Sequence, residues 1–278
     1  MLLLALDTST RQASVALCDE QRLYGEYTWQ VGNNHSVELL ERIRRLFAEC
    51  GIALSALDGL AVATGPGSFN GVRVAVATAK TLAFALHKPL VGISTLEVGA
   101  AQYQLWPGPV LALLEAGRSE LYAACYLFAG VESSGLLPVP RQVGDYQVLA
   151  PLALVEYVRN EIAPQLNMSG MPQDAPYLFC GEISEISRQI LTENMSGQIF
   201  FGQAVQSARR ASILAGLARQ RLIEQRLDDP LLLEPLYLRR PSITTSTRKQ
   251  PLLGGETSSI DQQNDPHSTE RGEGALRN

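Results

Sequence analysis

Three short apolar runs open the chain, LLLALD (2–7), ASVALCD (13–19) and RLYGEYTW (22–29), each closed by polar turn residues. Tight connections between such runs predict an antiparallel meander of three strands. The period then changes. Val37, Leu40, Ile43 and Phe47 recur at helical spacing, and Leu39 and Leu46 widen the stripe, so 34–50 is expected to be a helix with Asn34 as N-cap and Gly51 as its stop. LDGLAVATG (57–65) reads as a strand entering a glycine loop. A helix over 68–86, a strand LVGI (90–93) and a Ser-capped helix over 94–104 follow.

The second half repeats that order. PVLALLEA (109–116) and ELYAACYLFAG (120–130) are expected strands, with a third, weakly marked, between 137 and 149. Then come a helix over 151–162, a strand over 176–181, a helix over 182–191, a strand over 198–202 and one long helix over 203–225. A duplicated supersecondary order predicts an α/β protein of two similar lobes, 1–104 and 105–240. From 241 to 278 Ser, Thr, Gly and Gln dominate and large apolar residues are few. Such a segment cannot bury enough surface to offset its ordering entropy, so a disordered tail is expected, with a regulatory tail as the alternative.

Composition narrows the function classes. Of 278 residues, 46% are hydrophobic and 18% charged, as in ordinary globular chains. The net charge of -5 does not suit a chain that grips nucleic acid by itself, which needs clustered Lys and Arg. Cys18, Cys50, Cys125 and Cys180 form no C-x-x-C pair, so buried free thiols are expected. No apolar run approaches the length of a membrane span, and MLLLALDTST reads as a first strand rather than a leader; a cytoplasmic protein is expected.

Two stretches carry candidate chemistry. In DTST, Asp7, Thr8, Ser9 and Thr10 could orient a metal-bound water and touch phosphates, or simply close a hairpin as an Asx or Ser/Thr turn. In GPGSFNG, Gly65 and Gly67 allow close approach, and Ser68 or Asn70 can cap the following helix. The backbone amides there would form an anion site, or the glycines would serve only a tight strand-to-helix turn. The string matches neither G-x-x-x-x-G-K-[ST] nor G-x-G-x-x-G. Ala75, Ala79 and Ala83 form a small-residue row flanked by Val72, Val76 and Leu82, suited to close helix packing inside the fold and against a partner. His35, His87 and His267 are the only histidines and make no metal-ligand pair. Arg73, Lys80 and Glu97 read as solvated charges, with Arg73 near enough to the loop to face an anion.

LALDTST (4–10), GPGSFNGVRV (65–74), AKTLAFALHKPLVGISTLE (79–97) and LEPLYLRR (233–240) together resemble the TsaB (YeaZ) family. Asn70 stands where a Thr is usual, and Glu115, Ala116 and Gly117 take the place of an Asp-Ala-Arg ahead of Glu120 and Tyr122. The resemblance implies an actin-like (ASKHA) fold of duplicated lobes, each with a mixed five-stranded sheet flanked by helices. It implies a non-catalytic subunit of a tRNA-modifying complex, pairing with the catalytic TsaD and working with the ATPase TsaE. TsaD transfers threonylcarbamoyl to N6 of adenosine 37 in tRNAs reading codons that start with A. TsaD-type chains carry His-x-x-x-His after the equivalent strand; here Thr95 and Gly99 hold those positions, so no metal site and no catalytic residue of its own are implied.

ATP and metal would then belong to the partner subunits, and Asp7, Thr8, Ser9, Gly65, Gly67 and Ser68 would be a vestigial phosphate or nucleotide site. The partner interface implied lies on the first two long helices, with His35, Leu39, Ile43, Val72, Ala75, Val76, Ala79 and Ala83. A homodimer in isolation is left open; strong direct tRNA binding and membrane contact are not expected. The alternative is a small-molecule kinase of the same superfamily, with Asp7 and the Gly65–Gly67 loop holding ATP and Mg²⁺. A peptidase is disfavoured by the missing histidine pair.

Overall fold

The computed structural model describes residues 1–32, 35–128, 138–195 and 197–239, and no side chain for His35. Asn34, His267 and the expected tail lie outside the described residues. The meander is present as β1 (Leu3–Asp7), β2 (Gln12–Cys18) and β3 (Leu23–Gln30), followed by α1 (His35–Cys50), β4 (Gly59–Ala63), α2 (Phe69–Leu86), β5 (Leu90–Ile93) and α3 (Thr95–Ala101). The second half gives β6 (Val110–Gly117), β7 (Glu120–Phe128), β8 (Pro140–Leu149), α4 (Pro151–Tyr157), α5 (Ala163–Met168), β9 (Tyr177–Glu182), α6 (Glu185–Asn194), β10 (Ile199–Phe201), α7 (Ala204–Ser207) and α8 (Ala211–Ile223). A single π-helical stretch, Val158–Ile162, joins α4 to α5, so the helix expected to end at 162 runs on to Met168.

The strands form two five-stranded sheets in the orders β3-β2-β1-β4-β5 and β8-β7-β6-β9-β10. In each, the first strand pairs antiparallel with the second and parallel with the fourth, as in β1 with β2 and β4, and β6 with β7 and β9. This doubled order is the actin-like α/β arrangement the resemblance implies.

One face of the first sheet packs on α1 and α2, where Leu4, Leu6, Val15, Leu39, Ile43, Val72 and Val76 share a core. Its other face is covered by α8: Leu3, Ala5, Ala61 and Val91 meet Leu214, Leu217 and Leu222. The second sheet is treated the same way, with α4 to α6 on one face and α3 on the other, where Leu96 and Ala100 meet Val110 and Ala112. Each half of the chain thus lends its last helix to the other half's sheet.

The long helix expected over 203–225 is two helices, interrupted at Ala208–Arg210, where Ala208 and Arg210 take extended ψ values of 110° and 126°. No Pro or Gly marks this break. It delivers the Arg209 side chain to the space between the sheets.

Candidate functional site: the joint at Asp7

The two candidate stretches form one structure. Asp7, at the end of β1, is 1% exposed, and Thr8 and Ser9 are fully buried. Asp7 Oδ1 accepts hydrogen bonds from the Ser9 amide (2.8 Å) and the Ser9 hydroxyl (2.5 Å), which is the Asx turn that Asp and Ser favour. Thr8 donates its hydroxyl to the Gly71 carbonyl in the first turn of α2 (2.6 Å). The Ser68 amide donates to the Ser9 carbonyl (2.6 Å), and Ser68 Oγ caps α2 by accepting from the Gly71 amide (3.4 Å).

Gly67 is needed for this contact, because a Cβ there would sit 2.0 Å from the Ser9 carbonyl oxygen. The amide of Ser68 is therefore spent on the neighbouring turn, which supports the turn reading of the glycine loop. The segment after α8 closes the loop from outside: the Leu236 amide donates to the Thr64 carbonyl (2.7 Å), and the Tyr237 ring packs tilted against Phe69 at 5.1 Å.

Arg209 completes the site, and nothing in the sequence pattern singled it out. Its Nε donates to Asp7 Oδ2 (3.0 Å), Nη1 to Glu182 Oε1 (2.9 Å), and Nη2 to Thr10 Oγ1 (2.5 Å) and the Gln12 carbonyl (3.2 Å). Thr10 in turn donates to Glu182 Oε1 (2.6 Å). Arg209 is 2% exposed. Burial opposes its charge, but Asp7 and Glu182 outweigh that and raise its pKa. Beside it lies a groove of about 370 Å³ lined by Arg11, Gln12, Gln30, Glu182, Arg188 and Ser207.

The metal-bound nucleotide that an actin-like fold implies does not fit these residues. A hard cation needs carboxylate lone pairs and bound water. Both Asp7 oxygens already accept hydrogen bonds, and a guanidinium stands against the carboxylate. Among the described residues no three of His, Cys, Asp and Glu converge on a metal position. Thr95, at the first of the two histidine-equivalent positions, is 1% exposed, and its hydroxyl finds no protein partner. The kinase alternative thus has no free carboxylate at Asp7.

Several expectations need correction. Leu39, Ile43, Val72, Ala75, Val76, Ala79 and Ala83, assigned to a partner interface, are all buried in this chain's own first-sheet core, at 0–6% exposure. The alanine row packs α2 on its own sheet. The most exposed large apolar residues of α1 and α2 are instead Val37 (63%), Leu40 (55%) and Phe84 (66%). Glu97 is not a solvated charge: it takes a two-oxygen ion pair from Arg221 (2.6 and 2.7 Å), and burial raises its pKa against the pull of that arginine. Lys80 donates to the Leu233 carbonyl (2.9 Å), and Arg73 lies over the Phe69 ring at 5.0 Å rather than facing the loop. Of the cysteines, all free, only Cys125 and Cys180 are fully buried.

Two doubled sheets with an acidic residue and a glycine loop at adjacent strand ends define an actin-like protein of the group that includes the threonylcarbamoyl transferases. The family model "TsaD: tRNA N6-adenosine threonylcarbamoyltransferase" matches residues 29–247. The transferase of Methylobacterium nodulans is 41% identical, but over only 35% of this chain and 29% of its own length. The "tRNA threonylcarbamoyladenosine biosynthesis protein TsaB" of Bacillus subtilis is 32% identical over 86% of this chain and 94% of its own. Among solved structures, YeaZ of Pseudomonas aeruginosa superposes with a TM-score of 0.66 at 30% identity, over 85% of this chain and 99% of that one. The chain belongs to the TsaB (YeaZ) family of tRNA threonylcarbamoyladenosine biosynthesis proteins.

Proposed function

We propose that the chain is a non-catalytic partner subunit that pairs with a TsaD-type transferase during threonylcarbamoyladenosine formation at tRNA position 37. The observation that carries this reading is the exposed apolar set Val37, Leu40 and Phe84, on the two helices that cover one face of the first sheet. Single exposed apolar residues are ordinary; several on adjoining helices favour a protein partner. The committed Asp7 carboxylate supports the absence of nucleotide chemistry in this chain. ATP and metal then belong to TsaD and to the ATPase TsaE, in the cytoplasm. The charge of -5 suits a chain that leaves tRNA binding to its partners. In isolation the same face would serve a homodimer.

Co-purification of the intact chain with TsaD, and a reconstituted tRNA modification assay, test the reading. The Val37→Glu/Phe84→Glu variant should keep its Tm and lose the complex. A complex that survives this change, or modification that proceeds equally without this chain, refutes it. Ala79→Glu is a poor probe of pairing, because it places a charge in the chain's own core.

A further inference from the structure

The disagreement between the fold's usual ligand and the residues at Asp7 has its own explanation. We infer that Arg209 is a built-in cation that stands where a metal–nucleotide complex would otherwise join the two lobes. The guanidinium is fully committed in geometry: it reaches Asp7 and Thr10 at the first sheet's leading turn, and Glu182 at the end of β9 in the second sheet. Its own backbone amide adds a bond to Gln12 Oε1 (3.1 Å). A guanidinium keeps its charge at any working pH, and its planar fork matches two separate carboxylates. A bound metal arrives and leaves, and the joint it makes depends on its concentration. Arg209 is covalently part of the chain, so the joint is always made.

The break in the helix at Ala208–Arg210 fits this role. An uninterrupted helix over 203–225 would carry position 209 along its own axis; the extended residues on either side turn it inward. The inference stands on this cluster alone and holds whichever partner the chain meets.

The test uses the full chain with Arg209→Met, Asp7→Asn and both together. Removing one member of a buried ion pair leaves the other uncompensated, so each single variant should lower Tm by roughly 10 °C. The double variant should lose less than the sum of the two. Amide exchange at residues 8–12 and 181–183 should quicken together in Arg209→Met, since the joint they share is cut. Mg²⁺ with ATP should leave the Tm of the intact chain unchanged. If Arg209→Met does not fold, Glu182→Gln reads the same exchange, because that carboxylate is 41% exposed. The inference is overturned if the intact chain binds Mg²⁺–ATP and Asp7→Asn abolishes the binding, or if the variants match the intact chain in both Tm and exchange.

Discussion

Asp7 ends β1 and Glu115 lies two residues before the end of the matching strand β6, yet Asp7 is 1% exposed while Glu115 lies in solvent. Asp7 holds Ser9 and the buried Arg209. Glu115 Oε1 instead accepts from the Ser184 amide (2.8 Å) and the Ser187 hydroxyl (3.0 Å), at the start of α6. The turn after Asp7 is folded inward; the turn after Glu115 carries positive φ at Gly117, Arg118 and Ser119 and faces outward. What does repeat is the backbone contact beside each acid. A Cβ on Gly67 would meet the Ser9 carbonyl oxygen at 2.0 Å, and one on Gly181 would meet that of Leu113 at 2.0 Å. A glycine thus lets backbone approach backbone closely in both lobes, between loops at Gly67 and between the paired strands β6 and β9 at Gly181, while the acid's task differs. On one side a carboxylate neutralises a buried cation; on the other it holds the N-cap residue of α6 at the surface.

The sharpest way to break this comparison is at the shared glycines. Gly67→Ala and Gly181→Ala should each cost about 3 kcal/mol or more, as overpacking against rigid backbone does. A silent substitution at either site in urea unfolding would show that the close approach is not a common scaffold. Comparable in size, Asp7→Ala should cost about 3–5 kcal/mol by stranding Arg209. Glu115→Ala should cost only about 1 kcal/mol, the worth of a helix cap. Equal losses at the two acids in thermal unfolding would erase the contrast between the lobes.

The smallest effect concerns thiols in the two sheets. Burial pushes Cys18 up to about 11 and Cys125 up to about 12. Alkylation by iodoacetamide at pH 8 should be slow at both and slower at Cys125, and the Cys18 rate should keep rising until pH 11. The unfolded chain releases these protons from about pH 9, before the folded chain does, so stability falls as pH rises through 9 to 11. Mass-spectrometric labelling that is complete at both sites by pH 8 would contradict this.

The strand order was legible because apolar alternation and glycine punctuation act locally, and both halves carry them. The glycine loop and DTST were legible as a pair of strand ends, but not as each other's partners, since that contact joins residues far apart in sequence. SARRAS (207–212) has the composition of a helix and no breaker. Contacts distant in sequence hold the interruption: Arg209 with Asp7 and Glu182, the Ala208 carbonyl with Gln102, and the Ala211 amide with Ser14. The alanine row misled for a related reason: small residues permit close packing on either a sheet or a partner, and spacing alone does not say which. Val37 and Leu40 share the helical period of their buried neighbours Ile43 and Phe47, so the spacing predicts the helix without telling its buried face from its exposed one.

The exchange of last helices between the sheets bears on how the chain comes to be folded. A nascent chain that has emerged only as far as residue 104 holds all five strands of the first sheet, but of the cluster over Leu3, Ala5, Ala61 and Val91 it holds only Val98 and Ala101 of α3, and most of the cover comes when Ala211–Ile223 follows. The sheet must wait, with one oily face mostly bare, for a helix written more than a hundred residues later, while α3 waits for strands not yet made. Contacts of such separation slow folding and leave sticky surface open meanwhile. The two halves are therefore expected to complete each other in one late step, and a fragment cut between them should associate or precipitate.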